Sequence, residues 1–185
     1  MAVKLFVSDL DGTMLPDGNV VSQENIDAVQ HAVKSGIIVT IATGRMYEAA
    51  LPVVRALGVA LPVAHALGVD APIISYNGAL IQSPGGRIYE EHTVPVATAH
   101  EIFSFCRTRD WYIQGYSGGH LRYAAHTEEA AFYENSQKVT GEAVGWEGLL
   151  AHTAGNCKLL LVTQGRAETL QRAEEILSAF GEYVD

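Results

Sequence analysis

The sequence predicts an α/β protein, in which a parallel sheet with helical crossovers precedes a mixed α+β module. Three apolar runs support the sheet, because residues 3–8, 37–42 and 73–76 have the composition of buried strands and helical patterns lie between them. A strand–helix–strand succession gives right-handed crossovers and parallel pairing. Beyond residue 80 this alternation stops, and hairpins and helices follow in mixed order.

The first half contains clear helix signals between its strands. Residues 22–35 predict a helix, with Ser22 as its N-cap and Gly36 as its end. A second helix is expected to begin near Met46. In the order of the chain, the elements predicted after Leu80 are a hairpin around Pro84-Gly85-Gly86, a helix over 98–109, a hairpin around Ser117-Gly118-Gly119, a helix over 127–138, a strand over 157–163 and a helix over 167–180. We therefore predict two domains, residues 1–81 and 82–185.

Composition restricts the classes of partner. The net charge is −9 and there is no run of Lys or Arg, which disfavours a nucleic-acid surface and favours a small substrate with a divalent cation. No stretch is long and apolar enough for a membrane span, and the N-terminal apolar run is too short for a signal sequence. We expect a soluble, cytoplasmic protein, with Cys106 and Cys157 as core residues rather than a disulfide.

All three predicted strands of the first half end in polar or glycine-containing turns, with the sequences DLDGT, TGR and YNG. In open parallel sheets, ligands bind outside the carboxyl ends of the strands. The three turns are therefore expected to form one site.

Asp9 and Asp11 are the first candidates in that site. Residues two apart on a strand project to the same side, and two carboxylates there repel each other unless a cation or a proton lies between them. Mg²⁺ suits such oxygen ligands. Gly12 is predicted to turn the chain sharply and leave backbone N–H groups exposed for an anion, and Thr13 adds a hydroxyl. The pattern combines a nucleophilic carboxylate with a second carboxyl for proton transfer.

The other two turns add phosphate-binding groups. Thr43 offers a hydroxyl, Gly44 leads into a helix start with free N–H groups, and Arg45 offers a forked cation. Asn77 and Gly78 add a side-chain amide and a hinge. Phosphate suits this set better than a carboxylate does.

Together these motifs resemble the haloacid dehalogenase-like (HAD) phosphatase superfamily, in its Cof-type branch with a type-IIB cap. The resemblance rests on Asp9-Leu10-Asp11-Gly12-Thr13, Ala42-Thr43-Gly44-Arg45 and Ser75-Tyr76-Asn77-Gly78-Ala79. It implies a Rossmann-like core over residues 1–81, of which only the N-terminal part is present, and an α+β cap over 82–185.

The resemblance also implies a Mg²⁺-dependent phosphomonoesterase and gives each residue a role. Asp9 would attack phosphorus to form an aspartyl-phosphate, and Asp11 would protonate the leaving oxygen and then activate water. Mg²⁺ would bind the Asp9 carboxylate and the Asp11 backbone carbonyl, and Thr43 would hold a phosphoryl oxygen. Leu10, Gly12 and Gly44 would line the phosphate site, with Arg45 and Asn77 near the substrate. The expected substrate is a small phosphorylated metabolite, with sugar phosphates first.

Two motifs of the family are missing after the cap, namely a lysine that neutralises the phosphate and an acidic GDxxND-like turn. Lys158 does not replace the lysine, because it begins an apolar strand of the cap, and residues 181–185 are interpreted as entry to a final cap strand. In the family a later core strand pairs beside the first strand. Without it, residues 3–8 would form an exposed apolar edge, which self-association or a partner chain is expected to cover.

Two alternatives to a phosphatase stay open, and a third is disfavoured. The chain could be a truncated, non-catalytic phosphate- or Mg²⁺-binding remnant or half of a split enzyme, or a phosphomutase of the same superfamily. A phosphoacceptor domain like a response regulator is disfavoured by the DLDGT turn and the cap. Residues 51–60 and 61–70 form a near-repeat, which we interpret as a local duplication without a role in the chemistry. A partner-binding surface is the alternative interpretation of this near-repeat.

Overall fold

Two short parallel strands lie side by side in the first half of the chain. We analysed a computed structural model, which describes residues 3–16, 20–58 and 71–181. Strand β1 (Leu5–Ser8) pairs with β2 (Ile38–Ile41) in parallel, with Ser8 opposite Ile41. An isolated parallel bridge joins Ala42 to Ile74 in the third strand. The predicted parallel arrangement of these three segments is confirmed.

Helix α1 (Gln23–Lys34) forms the first crossover, and α2 (Tyr47–Ala56) follows β2. The Ser22 hydroxyl accepts from the Asn25 N–H at 3.2 Å, which satisfies one of the N–H groups that a helix start leaves unpaired. Gly36 has φ +80°, a conformation that glycine adopts without a Cβ penalty. The predicted N-cap and helix end are therefore confirmed.

The remaining elements include the predicted ones, with small shifts at their ends, and two that were not predicted, a short strand at residues 142–143 and a helix at 145–151. They are β3 (Ile73–Ser75), a 3₁₀ turn (Tyr76–Gly78), β4 (Leu80–Gln82), β5 (Ile88–Glu91), α3 (Val96–Thr108), β6 (Gln114–Ser117), β7 (His120–Tyr123), α4 (Glu128–Gln137), β8 (Glu142–Ala143), α5 (Gly145–Ala151), β9 (Asn156–Leu160) and α6 (Arg166–Phe180). No helix within the described ranges has the length and apolar character needed to cross a membrane.

The chain divides into two compact units, Met1–His92 and Thr93–Asp185. The hairpin formed by β4 and β5, which the sequence analysis assigned to the second domain after residue 81, instead belongs to the first unit. Its strand β4 pairs antiparallel with β3, with Ile74 opposite Ile81. The His92 N–H also donates to the Ala79 carbonyl at 2.7 Å. These backbone bonds keep the hairpin with the first unit, so the boundary follows His92.

The second unit is built on a four-stranded sheet in the order β8-β7-β6-β9. Its apolar core includes Ile102, Phe103 and Cys106 of α3, together with Ile113 and Leu149, all at most 5% exposed. Burial of such side chains is the main favourable contribution to folding. The helix predicted over 98–109 is therefore present as α3, and Cys106 is a core residue as predicted.

Strand β1 is the edge of its two-stranded sheet within the described residues. Leu5, Phe6 and Val7 are 54%, 45% and 45% exposed, so apolar side chains reach solvent from both faces of this strand. The expected apolar edge is present. Two other predictions concern residues outside the described ranges, namely the second copy of the near-repeat at 61–70 and the strand entry after Gly181.

Candidate active site

Two acidic residues follow the carboxyl end of β1. Asp9 and Asp11 are exposed, whereas Leu10 between them is fully buried. This alternation follows from the two-residue period of extended backbone, and the buried leucine anchors the segment. The predicted projection of both carboxylates to the same side is consistent with this burial pattern.

A tight turn follows, in which Gly12 has φ +72°. The Leu10 carbonyl accepts from the N–H groups of Thr13 and Leu15, at 3.2 and 2.8 Å, and the Gly12 N–H donates to the Leu15 carbonyl at 3.1 Å. These two N–H groups, of Gly12 and Thr13, are thus engaged inside the turn. Anion binding by them stays a prediction, and it would require these internal bonds to open.

The second turn comes from the end of β2 and is largely buried. Thr43 and Arg45 are 5% and 4% exposed. The Thr43 N–H donates to the Ile74 carbonyl at 2.9 Å, which ties this turn to β3. The Arg45 N–H donates to the Thr43 hydroxyl oxygen at 3.2 Å, so the hydroxyl proton is left for another acceptor.

Arg45 reaches across to the first turn and pairs with Asp11. Its Nε lies 3.2 and 2.9 Å from the two carboxylate oxygens, and its Nη2 lies 2.5 Å from Oδ1. Hydrogen bonds from the Arg45 guanidinium lower the pKa of Asp11 below its ordinary value and outweigh the opposing effect of partial burial. Bidentate geometry of this kind is the strong form of an arginine–carboxylate pair.

The third turn contains Tyr76, Asn77 and Gly78 in left-handed backbone conformations, with φ of 52°, 58° and 100°. The Tyr76 N–H donates to the Arg45 carbonyl at 2.9 Å, and the Asn77 N–H donates to the Thr43 carbonyl at 3.1 Å. All three strand-end turns thus meet at one place, as the parallel sheet predicts.

Gly44 lies directly beneath the side chain of Asn77. A Cβ atom at position 44 would lie 2.5 Å from Asn77 Oδ1, closer than real Cβ contacts allow. This close approach explains a glycine between Thr43 and Arg45. Gly44 and Asn77 were both predicted in the site, but their contact and the left-handed backbone of Tyr76 were not predicted. The Asn-Gly dipeptide was the available signal, because it favours positive φ.

Two oxygen groups of the first turn could serve as ligands for a metal ion. Asp9 offers a carboxylate to which no described residue donates a hydrogen bond, and the Asp11 carbonyl accepts no backbone bond within the described residues. Hard oxygen atoms of this kind suit Mg²⁺, which keeps several waters and needs few protein ligands. Within the same residues, no group of three or more His, Cys, Asp or Glu side chains could hold a metal.

Lys158 lies in β9 of the second unit, opposite Tyr116 of β6. Burial lowers the pKa of its ammonium group below the ordinary value. This lysine was not expected in the phosphate site because it belongs to a cap strand, and the structure does place it in that strand.

The fold and the turns define a class of protein, an α/β domain with its candidate ligand site at the carboxyl ends of parallel strands. Comparison with known families is more specific: the chain belongs to the haloacid dehalogenase-like hydrolases, because the model of that family matches residues 6–181. The resemblance inferred from the three motifs is thereby confirmed.

Individual relatives were found at the levels of sequence and of fold. Phosphatase YwpJ of Bacillus subtilis is 34% identical over 116 residues, which cover 63% of this chain and 37% of that protein. A haloacid dehalogenase-like hydrolase from Bacteroides thetaiotaomicron has a TM-score of 0.83 at 21% identity and covers 100% of this chain and 66% of its own. The structure of the HAD subclass IIB sugar phosphatase BT4131 has a TM-score of 0.72 at 16% identity, and the match covers 95% of this chain and 63% of that protein's chain. The match to YwpJ thus spans little more than a third of that protein's length.

Proposed function

We propose that this chain carries the phosphate-handling turns of a Mg²⁺-dependent phosphomonoester hydrolase that acts through an aspartyl-phosphate. The observation that carries this proposal is the meeting of three strand-end turns. Arg45 of the second turn pairs with Asp11 of the first, and Asn77 of the third donates to the Thr43 carbonyl. Phosphoryl transfer depends mainly on positioning and charge stabilisation, which such convergent polar groups can supply.

Asp9 is the proposed nucleophile. Its carboxylate is exposed, whereas the neighbouring Asp11 carboxylate is held by Arg45. Attack by an Asp9 oxygen on phosphorus forms the new O–P bond as the ester O–P bond breaks. A covalent intermediate of this kind replaces one difficult displacement with two easier ones.

Asp11 is the proposed acid and base. In the first step it gives a proton to the leaving oxygen, and in the second it accepts a proton from the attacking water. Because pairing with Arg45 lowers the pKa of Asp11, the paired form is ionised and suits the second role. For the first role, Asp11 must take up a proton and separate from Arg45.

Thr43 and magnesium complete the proposed phosphate site. The Thr43 hydroxyl accepts from the Arg45 N–H and can donate its proton to a phosphoryl oxygen. Mg²⁺, held by the Asp9 carboxylate and the Asp11 carbonyl, would neutralise charge on the phosphoryl group. This pair of oxygen ligands fits an ion that otherwise binds water.

The proposed substrate is a small phosphorylated metabolite of the cytoplasm, with sugar phosphates first. A solved relative of the same fold is described as a sugar phosphatase, which supports the class without defining a member. The net charge of −9 disfavours nucleic acid as a partner.

The direct test is hydrolysis of p-nitrophenyl phosphate by the full 185-residue chain, with and without Mg²⁺. We expect Mg²⁺-dependent product from the parent chain and none above background from Asp9→Asn. Asp27→Asn, on the exposed face of α1, is the matched control and should keep the activity. Equal hydrolysis by the parent chain and Asp9→Asn would contradict the proposal.

One observation favours a second candidate, a module that binds phosphate without turnover. Two lysines of the first unit, Lys4 and Lys34, precede the starts of β1 and β2, at the ends of these strands opposite to the three turns. The described part of the first unit thus places no lysine at the site. Calorimetric binding of inorganic phosphate with Mg²⁺, without hydrolysis of any aryl or sugar phosphate, would favour this candidate.

A further inference from the structure

The third turn has an unusual backbone. Tyr76 and Asn77 have φ values of 52° and 58° and precede Gly78 at 100°. Asparagine tolerates the left-handed region better than other residues with a Cβ, whereas a bulky tyrosine is strained there. Strained backbone of this kind persists only where surrounding contacts hold it, and it concentrates at functional sites.

Contacts around Tyr76 provide that support. Its ring is 5% exposed, and its hydroxyl donates to Glu48 Oε2 in α2 at 3.1 Å. The side chain is thereby tied to the helix that follows the Thr43–Arg45 turn. The contact with α2 thus holds the strained backbone at Tyr76 in place.

The left-handed backbone directs two consecutive N–H groups at one target. The Tyr76 N–H donates to the Arg45 carbonyl at 2.9 Å, and the Asn77 N–H donates to the Thr43 carbonyl at 3.1 Å. In extended backbone, consecutive N–H groups point to opposite sides. The two bonds to the Thr43–Arg45 turn therefore depend on the left-handed conformation.

The side chain of Asn77 adds a steric restraint to the same turn. Among the described residues other than its chain neighbours, a Cβ at Gly44 would meet Asn77 alone within 4 Å, with Oδ1 at 2.5 Å and Cγ at 3.6 Å. Gly44 and Asn77 thus fit each other, and a side chain at position 44 would displace Asn77.

We propose that Asn77 is a positioning residue, whose left-handed backbone holds the Thr43–Arg45 turn so that the Arg45 guanidinium reaches Asp11. This assigns Asn77 a role through the protein, in contrast to the substrate contact expected from its sequence motif. The catalytic importance of that role rests on the proposed phosphatase function, whereas the geometry itself does not.

The test compares four variants of the 15N-labelled full chain by NMR, namely Asn77→Gly, Asn77→Val, Gly44→Ala and the double variant Gly44→Ala/Asn77→Gly. The readouts are the Arg45 Nε–H resonance and the hydrogen exchange of the backbone N–H groups at positions 76 and 77. Resonances of residues 93–181 serve as the internal control for folding. No substrate is needed, so a failed phosphatase assay leaves this test intact.

We expect Asn77→Gly to keep the Arg45 Nε–H resonance, because glycine adopts the left-handed conformation freely. Asn77→Val should shift this resonance and accelerate exchange at positions 76 and 77 by about tenfold or more, since a β-branched residue resists positive φ. Gly44→Ala should have the same effect, and the double variant should restore the parent spectrum because the colliding side chain is gone.

Two results would overturn the proposal. One is an Arg45 Nε–H resonance that is unchanged in both Asn77→Val and Gly44→Ala. The other is its loss in Asn77→Gly, which would make the side chain itself the essential group. If Asn77→Val does not fold, failure of Asn77→Gly to rescue Gly44→Ala contradicts the proposal on its own.

Discussion

The guanidinium of Arg45 binds both carboxylate oxygens of Asp11, at 2.5 to 3.2 Å, across two turns that are 34 residues apart in sequence. Arg45 is buried, whereas the Asp11 side chain is 53% exposed. The pair therefore joins a fixed cation to a carboxylate that can move. Because the Asp11 carboxylate is exposed and its partner Arg45 is buried, Asp11 is suited to exchange Arg45 for a second partner.

Replacing Arg45 by Gln should raise the pKa of Asp11, because the hydrogen bonds that lower this pKa are lost. A 13C NMR titration of the aspartate carboxyl carbons measures this shift, with Asp27 as the internal reference. Since the folded pKa of Asp11 lies below its unfolded value, the pair stabilises the fold above the unfolded pKa. That stabilisation disappears as the pH falls through the folded pKa. An Asp11 pKa that is unchanged in Arg45→Gln would show that Arg45 is not the group that lowers this pKa.

The carboxylate of Glu134 gives a second pH-dependent prediction, in the other unit. Burial acts to raise its pKa, but bonds from the Gly141 N–H, the Tyr123 hydroxyl and His126 outweigh burial and lower the pKa. We expect Glu134→Gln to lower the free energy of unfolding by about 1–3 kcal/mol at neutral pH. The difference should shrink as the pH falls below 4.5 and through the lowered pKa.

Urea denaturation of both proteins between neutral and acidic pH measures this difference. Glu101→Gln, at an exposed position of α3, is the matched control and should change stability little. If the difference in free energy of unfolding between Glu134→Gln and the parent chain does not change with pH, the charge of Glu134 does not contribute to stability.

Gly115 in β6 makes a packing prediction. A Cβ there would lie 2.6 Å from Asn156 Oδ1 and 2.9 Å from Phe103 Cζ. We expect Gly115→Ala to destabilise the fold by about 1–3 kcal/mol, the usual cost of overpacking a filled core. Gly85→Ala is the control, because its Cβ would meet only Ser83 Oγ at 3.7 Å. Equal midpoints of thermal unfolding for Gly115→Ala and Gly85→Ala would show that the space around Gly115 is not filled.

The apolar edge strand β1 makes a prediction about association. Because Phe6 is 45% exposed on a strand that pairs with β2 alone among the described strands, we expect the 185-residue chain to self-associate. Phe6→Lys should reduce the mass measured by light scattering at equal concentration. Phe132→Lys, at a residue that is 67% exposed on α4 of the other unit, should not. A monomeric parent chain with protected amides along residues 3–8 would refute the prediction.

Local patterns made most of the fold predictable, because strand periodicity, the Ser22 cap and the glycine turns act within a few residues. The boundary between the two units, after His92, was not predictable from local patterns. The hairpin after Leu80 follows a change of pattern, but it belongs with β3 through backbone pairing, which leaves no trace in its own sequence. Convergence of the three turns followed from parallel topology alone.

Details of the site depended on tertiary contacts. The sequence indicated that Asp11 and Arg45 share a site, but it did not indicate that they pair. It placed Asn77 near the substrate, whereas the structure also shows its backbone bonded to the Thr43 carbonyl. Engagement of the Gly12 N–H by Leu15 likewise depends on how the turn closes. None of these three contacts could be predicted, because each residue's own motif is compatible with several partners.

We propose Asp9 as a nucleophilic carboxylate in a phosphate site that uses Mg²⁺. The most direct measurement is 19F NMR of the chain with beryllium fluoride and Mg²⁺, because beryllium trifluoride on a carboxylate mimics an aspartyl-phosphate without turnover. We predict bound fluoride resonances that require Mg²⁺, persist in Asp11→Asn and are absent in Asp9→Asn. Bound resonances that survive in Asp9→Asn, or a folded parent chain that shows none, would contradict the account.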